Sequence, residues 1–159
     1  MSELATIALA QTLEDLGVNA DAEYLTRPML AYWRAPEVFA DAVAFLDACP
    51  LPICLLSDVD RADLEAADDS TGVSVPLAVS SEDVGAYKPA PEGFLAAADT
   101  LDLPLDRLWH VGDSLSSDIA GANALGVTSV WINRQRRARA VTEPAQAWRW
   151  RTYASCWRC

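Results

Sequence analysis

The chain has a single lysine, Lys88, among its 12 basic residues. It also has no apolar run near the roughly 18 residues that cross a bilayer, which sets aside the membrane-spanning class. The N-terminus, MSELATIALAQTLEDL, carries acids on an amphipathic rhythm and lacks the basic start and apolar stretch of a secretory leader. The sequence therefore reads as cytoplasmic. Low-complexity tracts and internal repeats are missing, so neither a disordered segment nor a repeat array is indicated. The four cysteines (Cys49, Cys54, Cys156, Cys159) do not resemble a secreted disulfide framework. Cys49 and Cys54 flank an apolar run and read as core thiols. Basic residues are scarce over most of the chain: residues 1–133 hold five of them against 22 acids, a net charge of −17. An acidic body argues against a nucleic-acid partner. Residues 134–159 reverse the balance with seven arginines and one acid.

What remains is an ordinary globular composition, 52% hydrophobic and 22% charged over 159 residues, long enough for one sizeable core. Leu9, Leu13 and Leu16 recur at helical spacing, which predicts a helix over 3–16 ending at Gly17. A weaker helix is expected over 21–33. Val38, Phe39, Ala42, Val43 and Leu46 mark a third, between Pro36 and Pro50. Beyond residue 50 strands and helices alternate. Strands are predicted at 53–57, 76–80, 107–112 and 127–132, with helices at 91–101 and 115–125. "RADLEAADD" reads as one more helix. The alternation predicts an α/β fold with a parallel sheet and right-handed crossovers. Ligands of such sheets bind beyond the carboxyl ends of the strands, here at Ser57, Ser80 and Gly112-Asp113.

Three stretches carry groups suited to chemistry. In "HVGDSLSSDIAGANALGV", Gly112 permits a tight turn and presents Asp113 at a strand tip. Oxygen ligands there suit Mg²⁺, which takes one or two protein carboxylates plus phosphate oxygens. Asp118 follows near a helix start, where an anion is favoured; both acids could equally serve as helix caps. In "SSEDVGAYKPAPEGF", Lys88 precedes Pro89 and a helix, and its ammonium could neutralise a phosphate or a carboxylate. A solvated loop lysine is the plainer reading. In "ICLLSDVDRADL", the Ser57 hydroxyl ends a strand and could join the backbone N–H groups after it in cradling a phosphate. Asp58 and Asp60 follow it as an Asp-x-Asp pair.

Ser57, then Lys88-Pro89, then Gly112-Asp113 through Asp118 resemble, in that order, the haloacid dehalogenase (HAD) superfamily of hydrolases. The resemblance covers roughly residues 36–134. It implies a Rossmann-like, three-layer core over 34–133 with a parallel sheet, and a remnant of a helical cap over 1–33. It also implies a phosphatase-type enzyme using Mg²⁺ on a small phosphorylated metabolite or nucleotide. In that reading Asp113 and Asp118 serve the metal, Lys88 and Asp118 the catalysis, and Ser57, Asp58 and Lys88 the substrate. A metal-free dehalogenase and a non-catalytic phosphate-binding or regulatory protein are the alternatives.

The resemblance also marks two departures. In the family the nucleophilic Asp stands on a first strand ahead of the cap, whereas Ser57 occupies the place of the later Ser or Thr motif. Asp58 and Asp60 are then a chance pair, and no strand ending in Asp-x-Asp precedes residue 50. The N-terminus looks like a truncation or a misplaced start. The absent strand belongs between those ending at Ser57 and Asp113, so its loss exposes two edges and favours self-association. The tail over 134–159 shows no periodic core pattern and is expected to lie outside the core. Its Cys156-x-x-Cys159 has no second pair to complete a zinc site.

Overall fold

The computed structural model of the chain describes residues 2–138 and 147–153. It begins with two helices, α1 (Ser2–Asp15) and α2 (Ala22–Arg34). Asp21 starts α2 by accepting the Tyr24 backbone N–H at 3.1 Å, an Asn/Asp-type cap. The two helices pack on each other, and α2 packs on α4 (Arg61–Thr71). There the Arg34 guanidinium donates to the buried Asp63 carboxylate at 2.7 Å. A short helix, α3 (Ala40–Ala48), leads into the first strand.

The strands are β1 (Cys54–Ser57), β2 (Leu77–Ser80), β3 (Trp109–Gly112), β4 (Thr128–Ile132) and β5 (Ala147–Trp150). All pairings are parallel, as the alternation with helices predicts. The sheet comes in two pieces among the described residues: β1 with β2, and β3-β4-β5 with β4 in the middle. Helix α6 (Pro91–Leu101) lies over β1 and β2. A single π-helical turn, Leu115–Ile119, lies over β3 and β4 and runs on into α7 (Ala120–Ala124). Phe94 of α6, Ala122 of α7 and Val127 form one buried cluster, with Leu56, Leu105, Leu108 and Leu125 packed against it. Among the described residues no helix is long and apolar enough to cross a membrane.

Two expectations need correction. Residues 134–159 were expected outside the core, yet 147–150 form β5 alongside β4. Trp150 is buried with Val130 and Ile132, and the Asn133 N–H donates to its carbonyl at 2.8 Å. Four residues are too short to show a strand period, and Arg149 within the strand and Arg151 after it masked the apolar signal. Cys156 and Cys159 lie outside the described residues. Ser80 was expected at the open sheet end but is fully buried. Its hydroxyl and backbone N–H both meet Asp83, closing a capping box on the short helix α5 (Ser81–Val84).

Candidate functional site

Parallel pairing brings the carboxyl ends of β1 and β2 together, Ser57 opposite Ser80. The loop after α5 carries Lys88 back across the end of β1. Its backbone N–H donates to Asp58 Oδ1 at 3.1 Å and its Nζ donates to the Leu56 carbonyl at 3.2 Å. These two contacts bracket Ser57. Asp58 is thereby engaged in holding the lysine loop, while Asp60 stands at the N-terminal cap of α4.

The same Nζ donates to Asp118 Oδ1 at 2.8 Å, and both side chains are largely buried. Asp118 stands in the π-helical turn that follows β3. Its Oδ1 also meets His110 Nε2 at 3.3 Å, and its Oδ2 accepts the Ser114 N–H at 3.0 Å. Burial alone would raise the Asp118 pKa. The hydrogen bonds from His110, Lys88 and Ser114, with the Lys88 charge, override it and hold the carboxyl well below the ordinary carboxylate range.

His110, the chain's one histidine, was not singled out from the sequence. The signal that could have found it is strand period: His110 and Gly112 lie two apart on β3 and so share a face. Asp118 packs against that face. A Cβ on Gly112 would collide with the Asp118 Cβ and carboxyl group. Gly112→Ala is therefore expected to displace Asp118 and break its pairing with Lys88. A destabilisation of about 1–3 kcal/mol, the usual range for overpacking, should appear in urea unfolding. An unchanged midpoint would mean that Asp118 can move aside freely.

Asp113 behaves differently. Its side chain is 78% exposed, and its Oδ2 lies 3.7 Å from Arg137 Nη2. Its carbonyl accepts from Trp131 Nε1 at 3.0 Å and Arg137 Nη2 at 2.6 Å, which anchors the tip of β3. Among the described residues no three potential ligands converge as a metal cluster. Asp113 fits a hard cation as one exposed carboxylate. Asp118 fits less well, because both its oxygens are engaged, and it stands as the partner of Lys88. The structure thus joins Asp58, Lys88 and Asp118 through direct hydrogen bonds, with Ser57 between the two β1-end contacts of Lys88 and the Asp113 side chain exposed.

Parallel strands whose carboxyl ends gather a buried lysine, an aspartate pair and a strand-end serine define an α/β enzyme-type site. The chain belongs to the haloacid dehalogenase-like hydrolases, whose family model matches residues 2–126. It is 30% identical over 133 residues to (S)-2-haloacid dehalogenase H-109 of Pseudomonas putida, covering 80% of this chain and 58% of that protein. Over 56 residues it is 43% identical to the glyceraldehyde 3-phosphate phosphatase of Methanopyrus kandleri, covering 35% of this chain and 24% of that one. Over 73 residues it is 39% identical to the ribulose-1,5-bisphosphate 5-phosphatase of Halopiger xanaduensis, 46% of this chain and 30% of the relative. The chain therefore spans less than two thirds of the length of these relatives. The magnesium-bound structure of the HAD hydrolase YfnB from Bacillus subtilis superposes with a TM-score of 0.82 at 17% identity, covering 98% of this chain and 71% of that one. That likeness shows the fold.

Proposed function

We propose that this chain carries the phosphate-holding half of a phosphatase-type hydrolase acting on a small phosphorylated metabolite or nucleotide in the cytoplasm. The observation that carries the reading is the buried Lys88–Asp118 pair set across the end of β1 beside Ser57. Lys88 has three N–H donors, and two of them go to Leu56 and Asp118. Among the described residues no acceptor takes the third, which leaves it for a phosphoryl oxygen. Ser57 and the backbone after it supply neutral donors. Asp118 keeps the ammonium in place. Magnesium, bound through Asp113 and the phosphate itself, would offset negative charge on the phosphoryl group. Family members attack phosphorus with a strand-borne aspartate. Among the described residues no aspartate stands on a strand between β1 and β3, so turnover by this chain should be slight.

The test is binding of inorganic phosphate, followed by titration calorimetry with and without magnesium. Asp113→Asn is expected to remove the magnesium-dependent part of the affinity. Lys88→Met should weaken binding at least tenfold in either condition, a change of about 1.4 kcal/mol. Unchanged affinity in both variants would sink the reading.

A metal-free 2-haloacid dehalogenase is the second reading. It is favoured by two relatives that match 80% and 83% of this chain, both (S)-2-haloacid dehalogenases, at 30% and 29% identity. Halide release from 2-chloropropionate without metal, with no phosphate release from an aryl phosphate, would decide for it. Phosphate binding with neither turnover would favour a regulatory role.

A further inference from the structure

The arginine-rich stretch that follows β4 returns to the tip of β3, and it does so by a built turn. Asn133 is buried and uses both ends of its amide on one residue: Oδ1 accepts the Arg137 N–H at 2.8 Å, and Nδ2 donates to the Arg137 carbonyl at 2.9 Å. Arg136 takes the left-handed backbone that closes the turn, at φ 54°. The main chain of Arg137 is thus held on both sides by one buried side chain. Of the arginines here, Arg134 pairs with Asp41 of α3 at 3.0 Å, whereas Arg137 reaches Asp113.

At Asp113 the Arg137 guanidinium makes two contacts. Its Nη2 donates to the Asp113 carbonyl at 2.6 Å and stands 3.7 Å from the carboxylate Oδ2. A carbonyl has two lone pairs, and the Trp131 indole N–H takes the other one at 3.0 Å. The carboxylate is therefore the part of Asp113 open to a ligand, and a fixed positive charge already stands beside it. Even in bulk water, a dication and a unit positive charge about 5 Å apart repel enough to weaken binding roughly tenfold. A guanidinium keeps its charge at any working pH, so the repulsion is permanent.

We propose that Arg137 guards Asp113 against divalent metal. It is a resident counter-charge that satisfies the carboxylate itself, and a metal ion gains the site only against its repulsion. Arg137 is in this sense a specificity-determining residue: it sets how strongly the tip of β3 holds a cation and keeps positive charge there when none is bound. This rests on Asp113 being the carboxylate that holds magnesium. The plainer role, an arginine that merely pins the loop to β3, needs its hydrogen bond to the carbonyl but not its charge.

The probe is Mn²⁺, a hard cation that shares the oxygen ligands of Mg²⁺. Its free form is followed by electron paramagnetic resonance, with the full chain at low ionic strength. The body of the chain is acidic, so the quantity read is the Mn²⁺ binding that Asp113→Asn removes. Arg137→Gln keeps a donor for the carbonyl without the charge, and is expected to tighten that binding roughly tenfold or more. Arg137→Lys keeps the charge and should stay within about threefold of the native chain. Arg136→Gln removes the same charge one residue away and should also stay within about threefold, since an exposed charge farther off is screened. The gain in Arg137→Gln should shrink in about 1 M salt, where the Debye length is roughly 3 Å. Tighter binding is not a product of misfolding, and a cooperative thermal transition in each variant checks this. Equal Asp113-dependent affinity in the native chain and Arg137→Gln would overturn the proposal while leaving Asp113 as the metal carboxylate. A matching gain in Arg137→Lys would overturn it too, by making the shape of the side chain the obstacle. No Asp113-dependent binding in any of these proteins would overturn both the proposal and the reading of Asp113.

Discussion

Lys88→Met is expected to lower the unfolding free energy by about 3–5 kcal/mol at neutral pH, the range found when one partner of a buried ion pair is removed. Lys88 and Asp118 are both largely buried, so the surviving carboxylate would be left with His110 and the Ser114 N–H alone. The Leu56 carbonyl would lose its lysine donor as well. The effect should depend on pH with a defined sign. In the native chain Asp118 is held below the ordinary carboxylate range. Its contribution is therefore fully present above the unfolded value of about 4 and is lost as pH falls below that. In the variant Asp118 loses the Lys88 charge and hydrogen bond, two of the causes that lower it, so it takes up its proton at higher pH than in the native chain. The gap between the two proteins should be widest at pH 6–8 and narrow toward pH 4. Adding Asp118→Leu to the variant should recover part of the loss, because an apolar pair tolerates burial better than a lone charge. A single-variant loss under about 1 kcal/mol in urea unfolding would mean that water already solvates the pair.

Trp150→Ala is expected to cost about 3–5 kcal/mol, the usual range for deleting a buried aromatic. For a chain of this size that corresponds to a fall in melting temperature of roughly 10 °C. Trp150 is 7% exposed and packs with Val130 and Ile132, with Val111 and Tyr153 alongside. It also holds β5 on β4, so its loss should expose the edge of β4 and promote association. Trp148 is the internal control. It lies on the same strand but is 61% exposed, and Trp148→Ala should stay within about 0.5 kcal/mol. Equal effects at the two positions would show that β5 does not dock through Trp150.

Much of the site was legible because its parts obey local rules. Apolar runs end at Ser57 and Gly112, and a strand end in an α/β layer is where ligands gather. Lys88 drew notice by being the one lysine. The contacts among these residues were not legible. Lys88 and Asp118 are 30 residues apart, and nothing in local spacing says that they share a buried hydrogen bond. Asp118 read as a metal ligand or a helix cap. It became a lysine partner only because a π-helical turn and the bare face of Gly112 bring it onto β3 beside His110. Ser80 looked like an open site residue until Asp83, three residues on, took both its polar groups.

The amino-acid sequence by itself determined the class of fold, the order of strands and helices, and which few polar side chains stand at strand ends. Periodicity and turn residues act over a handful of neighbours, and those features need nothing more. Tertiary structure alone decided that an arginine-rich tail contributes a fifth strand, and that Lys88, Asp118 and His110 form one buried cluster. Each of these depends on backbone pairing or charge burial between segments distant in the chain. The free energy of such contacts is set by what closes around them, which no local pattern records.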